Sequence, residues 1–193
     1  MKQSKKIAIT GGIGSGKSLL SDILKGMGYV VYSCDEIYRE MLQEKEYLSL
    51  LNKYFPDCFI GGSLLDKKLL AERVFSNEEN RKKLESLAHP IIMQRLLAQM
   101  EGKGIVFAEV PLLFEGGYEG LFDYVIALVR SQEERVKAVM ERSGLTQEEV
   151  LRRMQSQFDP ARLSGKDCII VENNGTKEEL TQRAKEIINQ IGY

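Results

Sequence analysis

The chain has 193 residues, enough for one domain or one domain carrying an insertion, with a core that needs no disulfide or metal staple. Hydrophobic residues make up 43% and charged residues 28%, a globular composition that excludes a collagen-like, largely disordered or membrane-spanning chain. Lys plus Arg number 27 against 28 Asp plus Glu, a net charge of −1, so a polyanion must be met by a local cluster, and neither nucleic acid nor a membrane is expected as a partner.

The basic start, Met1 to Lys6, is followed by only Ile7-Ala8-Ile9 before a polar, glycine-rich stretch, which leaves no apolar core for a signal peptide. The longest apolar run, Tyr124 to Val129, has six residues, far short of the roughly 20 that span a bilayer. A cytoplasmic location is the expectation. Ile7 to Thr10 reads as a strand, and from Ser18 a helical stripe of Leu19, Leu20, Ile23, Leu24 and Met27 follows, stopped by Gly28. Tyr29 to Tyr32 reads as a second strand, which makes a βαβ unit and predicts a parallel sheet covered by helices. Three further buried strands are predicted at Ile105 to Val110, Tyr124 to Val129 and Cys168 to Val171, with a closing helix from Thr176 to Ile191.

Two intervals break this alternation. Residues 37–99 are helix-patterned without a clear strand and read as a helical insertion on an α/β core made of 1–36, 100–130 and 164–193. Residues 131–163 form the other, an arginine-bearing pair of helices joined near Ser143-Gly144, a hairpin suited to act as a lid. Cys34, Cys58 and Cys168 are odd in number and widely spaced, so they read as reduced thiols.

Gly11-Gly12-Ile13-Gly14-Ser15-Gly16-Lys17-Ser18 satisfies G-x-x-x-x-G-K-[ST] between a strand and a helix. Glycines let consecutive backbone N–H groups turn inward as an anion nest, and the helix adds its positive end. Residues Gly12, Ile13, Gly14, Ser15, Gly16, Lys17, Ser18 and Leu19 are therefore the expected ATP-binding loop. Within it Lys17 reaches the β- and γ-phosphates, and the Ser18 hydroxyl binds the Mg²⁺ that accompanies ATP. A dinucleotide fingerprint fails, because Lys17 stands where its third glycine belongs. No N-K-x-D is present to read guanine, and the strand Ile105 to Ala108 runs into Glu109 rather than into a plain aspartate, which weakens a motor reading. Asp35 follows the second strand at the carboxyl edge of the sheet, where it suits both a catalytic base and a helix N-cap. Between positions 67 and 83 six basic residues (Lys67, Lys68, Arg73, Arg81, Lys82, Lys83) outnumber three acidic ones, which suits either a pyrophosphate-bearing substrate or a solvated helix face. Pro90 should hold His89, the one histidine, in extended geometry. Arg142, at the turn of the arginine hairpin, is the candidate for steadying the phosphoryl group in transfer.

Several segments resemble the dephospho-CoA kinase family in order and spacing. Ile9 to Ser18 looks like its phosphate loop, Val31 to Ile37 its V-I-D-A-D-x-I segment, and Pro111-Leu112-Leu113-Phe114-Glu115 its P-L-L-F-E. Leu65-Asp66-Lys67, Val74-Phe75, Leu84-Glu85, Ala88-His89-Pro90 and Glu172-Asn173-Asn174-Gly175 follow its remaining motifs. The resemblance implies a P-loop NTPase fold and an ATP-dependent phosphotransferase that phosphorylates the 3′-hydroxyl of dephospho-CoA, with no obligate protein partner. It implies Asp35 as the base, and Asp35, His89, Pro111, Leu112 and Glu115 as substrate-binding residues. Asn174 and Gly175 would border the adenine. Ser33 departs from the family's usual first Asp of D-A-D, and Leu19 stands where Thr is common. A nucleoside or nucleotide monophosphate kinase is the enzyme alternative, and a regulatory ATP-binding module the non-enzyme one.

Overall fold

Short apolar runs alternating with amphipathic helices build a parallel sheet in the computed structural model, which describes residues 4–155 and 168–192. Parts of the expected lid (156–163) and core (1–3, 164–167 and 193) lie outside the described residues. In chain order the elements are β1 (Lys5–Gly11), α1 (Lys17–Gly26), β2 (Val30–Ser33), α2 (Cys34–Met41), α3 (Lys45–Tyr54), β3 (Phe59–Ile60), β4 (Leu64–Leu65), α4 (Lys67–Ser76) and α5 (Glu78–Met100). They continue with β5 (Ile105–Glu109), β6 (Tyr124–Val129), α6 (Gln132–Ser143), α7 (Gln147–Gln155), β7 (Cys168–Glu172) and α8 (Lys177–Gly192). The chain divides into two compact units, one formed by residues up to Ser33 together with those from Met100 onward, the other by Cys34–Gln99. Among the described residues no helix is long and apolar enough to cross a membrane.

The first unit holds the five-stranded sheet, in the order β2-β5-β1-β6-β7, with every pair parallel. Parallel pairing puts the loops that leave all five strands at one edge, where ligands of open α/β sheets bind. Ile7 and Ile9 of β1, Phe107 of β5 and Ile126 and Leu128 of β6 pack with Leu20 and Leu24 of α1 and Leu180, Ala184, Ile187 and Ile191 of α8. Full burial of each of the large side chains contributes about 1.5–3 kcal/mol. The start of β2 is set by the end of α1. Tyr29 N–H donates to the Leu24 carbonyl at 3.1 Å and Gly28 N–H to that of Lys25 at 3.0 Å, the crossed pair that stops a helix on glycine. At the far end α8 opens on a reciprocal cap: Thr176 N–H donates to Glu179 Oε2 (2.7 Å) and Glu179 N–H to Thr176 Oγ1 (3.2 Å). A smaller cluster of Val136, Val139 and Val150 joins α6 to α7, and Ile13 packs against it from the turn after β1.

The second unit is helical, with Ile37, Met41, Tyr47, Leu51, Phe55 and Leu70 buried. It also contains a feature that periodicity did not show, the two-residue antiparallel strands β3 and β4, because segments that short carry no alternation to read. Arg95 grips Glu44 through two nitrogens at 2.5 and 2.7 Å, and Asp66 caps α4 by accepting from Lys68 N–H and Leu69 N–H at 3.0 Å each. The expected extended geometry at His89 is overturned, because α5 runs unbroken through Pro90. A proline inside a helix costs about 3 kcal/mol. Four large side chains on α5 (Ile92, Met93, Leu96 and Met100) are buried, at about 1.5–3 kcal/mol each, so packing outweighs the local bias.

Candidate active site

The turn after β1 is built for close approach. Ser15 N–H donates to the Gly12 carbonyl at 3.2 Å, and the first helical bond, Leu20 N–H to the Gly16 carbonyl at 3.1 Å, forms only after Lys17, Ser18 and Leu19. The amides of a helix's first turn point out of its N-terminal end. Gly16 takes φ +99°, a left-handed conformation that favours glycine. Lys17 arches back over the turn, its Nζ donating to the carbonyls of Gly11 (2.7 Å) and Gly12 (3.1 Å). A cation held by main-chain carbonyls beside a row of amides is an arrangement that attracts phosphate.

Three side chains from distant parts of the first unit converge on this turn. Ser18 Oγ donates to Glu109 Oε1 at 3.2 Å, from the last residue of β5. Arg135 of α6 donates through Nε to the Ile13 carbonyl at 2.9 Å, and its guanidinium lies so close that a Cβ on Gly12 would fall 2.1 Å from Nη2. Asn173, just past β7 and buried, donates through Nδ2 to the Ser15 carbonyl at 2.8 Å. Spacing gave no sign of these contacts, whose partners are 91, 122 and 158 residues apart. For Glu109 the signal present was its place at the end of a predicted strand.

The sequence-derived site residues fall as follows. Gly12 to Leu19 form the turn and the first residues of α1. Asn174 accepts from Ser131 N–H at 2.9 Å through Oδ1, tying the β7–α8 turn to the start of α6, and Gly175 lies beside the Glu179 carboxylate. Pro111, Leu112 and Glu115 lie in the turns after β5, fastened by Gly116 N–H to the Leu112 carbonyl (3.1 Å) and Tyr118 N–H to that of Leu113 (3.0 Å). Arg142 is exposed in the last turn of α6, seven residues on from Arg135, two turns along the same face. In the second unit Asp35 is an exposed residue in the first turn of α2, and His89 is half-buried on α5. Of the six basic residues between 67 and 83, four make ion pairs with carboxylates: Lys68 with Glu72 (4.0 Å), Arg73 with Asp57 (2.7 Å), Arg81 with Glu85 (3.9 Å) and Lys82 with Glu78 (2.9 Å). Lys83 lies 4.0 Å over the Tyr54 ring. This is the pattern of a solvated helix face.

Comparison with known proteins decides among the kinases that use such a turn. The dephospho-CoA kinase family model matches residues 5–179. The chain belongs to the dephospho-CoA kinase family. Among curated relatives, the dephospho-CoA kinase of Thermus thermophilus is 37% identical over 96% of this chain and 91% of its own length. That of Geobacillus kaustophilus is 33% identical over 95% of each. Among solved structures, a Thermus thermophilus protein at 37% identity superposes with a TM-score of 0.84 over 98% of both chains. Dephospho-CoA kinase from Campylobacter jejuni, 31% identical, gives 0.68 over 96% of both. Shikimate kinase from Acinetobacter baumannii, at 12% identity and a TM-score of 0.59, is similar in fold alone.

Family membership makes the chain a P-loop kinase of coenzyme A biosynthesis, with an alcohol group as acceptor, and favours neither a nucleotide monophosphate kinase nor a regulatory module. Ser33, where dephospho-CoA kinases usually carry Asp, pairs in register with Glu109 across β2 and β5.

Proposed function

We propose that the protein transfers the γ-phosphate of Mg-ATP to the 3′-hydroxyl of dephospho-CoA, releasing ADP and coenzyme A, in the cytoplasm. What carries the reading is an intact phosphate turn, with Lys17 folded over it, in a chain related to dephospho-CoA kinases along almost its whole length. Lys17 and the amides of Gly12 to Leu19 hold the phosphate tail, and Asn174 and Gly175 border the adenine. Residues 37–99, with His89, bind the acceptor together with Asp35, Pro111, Leu112 and Glu115, and 131–163 serve as the lid.

Asp35 accepts the proton of the 3′-hydroxyl as that oxygen bonds to the γ-phosphorus and the bond to the bridging β-oxygen breaks, with ADP as leaving group. Arg142 steadies charge on the phosphoryl group in transfer, and Arg135, already at the turn, holds the nucleotide. Hydroxyl and carboxylate oxygens are the hard donors that magnesium takes, and Ser18 Oγ and Glu109 Oε1 supply both within 3.2 Å. Ser18 would hold Mg²⁺ directly, with Glu109 orienting the hydroxyl. When bound, magnesium would offset negative charge on the phosphates.

A coupled assay of ADP release tests the proposal. Turnover should require dephospho-CoA, and an acceptor lacking the 3′-hydroxyl should be inert. A nucleoside monophosphate that outperforms dephospho-CoA, or no stimulation by dephospho-CoA, would overturn it.

A further inference from the structure

The contact between Asn173 and the Ser15 carbonyl has a consequence for the phosphate turn beyond holding it in place. All described peptide bonds are trans, so each carbonyl points opposite to the N–H of the next residue. With the Ser15 carbonyl fixed on Asn173 at 2.8 Å, the Gly16 N–H must face away from Asn173. The Ser15 N–H is committed to the Gly12 carbonyl and the Gly16 carbonyl to the Leu20 N–H, and the Asn173 bond holds the Ser15–Gly16 peptide between them.

Asn173 is itself firmly held. Its backbone N–H donates to the Val129 carbonyl at 2.9 Å, continuing the β6–β7 ladder, and its side chain is buried, where an amide donor without a partner is costly. Its Nδ2 also stands 2.1 Å from where a Cβ on Gly16 would lie. The glycine before Lys17 and the asparagine after β7 are thus two halves of one contact: glycine leaves the space, and the amide fills it and orients the peptide.

We propose that Asn173 is a positioning residue for ATP: by orienting the Ser15–Gly16 peptide it presents the Gly16 N–H to nucleotide phosphate before the nucleotide arrives. The inference rests on the reading of Gly12 to Leu19 as the ATP-binding loop. It deepens that reading by placing the control of phosphate affinity at the opposite end of the sequence. Donors fixed in advance bind charge without the cost of ordering them.

The test compares Asn173→Ala and Asn173→Asp with the unsubstituted protein by calorimetric titration with Mg-ATP and by steady-state kinetics. Asn173→Asp keeps the shape but sets an acceptor against the Ser15 carbonyl. Each variant should raise the Kd and KM for ATP about ten-fold, the size of one lost hydrogen bond, with KM for dephospho-CoA within two-fold. A folded variant with ATP affinity unchanged within two-fold overturns the proposal, and so does an equal rise in both KM values, the mark of a merely structural role. If neither variant folds, the unsubstituted protein decides by NMR. The Asn173 side-chain amide should resist exchange with solvent, and rapid exchange overturns the proposal. Failure of the functional reading looks different: the unsubstituted protein would bind Mg-ATP yet release no ADP on addition of dephospho-CoA.

Discussion

The two units organise their chemistry by different means. In the first, the candidate site is framed by main-chain groups: amides at the start of α1, carbonyls that hold Lys17, and a peptide pinned by Asn173. In the second, the groups assigned to the acceptor are exposed or half-buried side chains on helices, and ion pairs such as Glu44–Arg95 and Arg73–Asp57 lie at its surface. Main-chain chemistry needs glycines at fixed intervals and so writes itself into sequence. Side-chain chemistry leaves only single letters, whose neighbours are chosen by the fold.

The contrast can be broken from either side. Lys17→Ala should lower kcat/KM by about 10³ with the melting temperature little changed, because the role proposed for it is to hold phosphate and not to build the core. A fall under ten-fold would remove the main asset of the first unit. Arg142→Ala is expected to lower kcat by ~10³, whereas Arg135→Ala should act chiefly on KM for ATP. The reverse pattern would move the transfer role to the arginine already at the turn. For the second unit, Asp35→Asn should reduce kcat by ~10² and leave the calorimetric Kd for ATP unchanged. An unchanged kcat would leave that unit without a base.

The smallest effect concerns the Glu44–Arg95 pair. The hydrogen bond from Arg95 holds the Glu44 carboxyl below the usual carboxylate range. A depressed carboxyl adds stability above its unfolded value and loses it as pH falls through the folded one. Glu44→Gln should therefore lower the melting temperature modestly at pH 7, with the difference closing as the solution is acidified below the carboxylate range. A difference that persists in acid would mean that the pair acts through packing alone.

Most of the first unit was legible. Strand β6 falls on its predicted bounds, and β2, β5 and β7 differ by a residue or so at their ends, where Ser33 extends one ladder and Glu172 another. Helices α1 and α8 were legible for the same reason, since each keeps an apolar stripe toward the sheet. The β3–β4 hairpin was not, being too short for a period. Pro90 misled because a local preference was weighed without the burial that α5 gains. The phosphate turn was readable from its glycines, while Glu109, Arg135 and Asn173 belong to it only through long-range contacts.

One side chain of the turn has a second allegiance. Ile13 packs with Val136, Val139 and Val150, so the phosphate turn and the α6–α7 hairpin share a patch of oily surface. Any swing of the hairpin must either drag Ile13 along or strand it in water. The turn and the hairpin are thus joined by packing as well as by the Arg135 hydrogen bond, so a substitution that loosens one should be felt at the other.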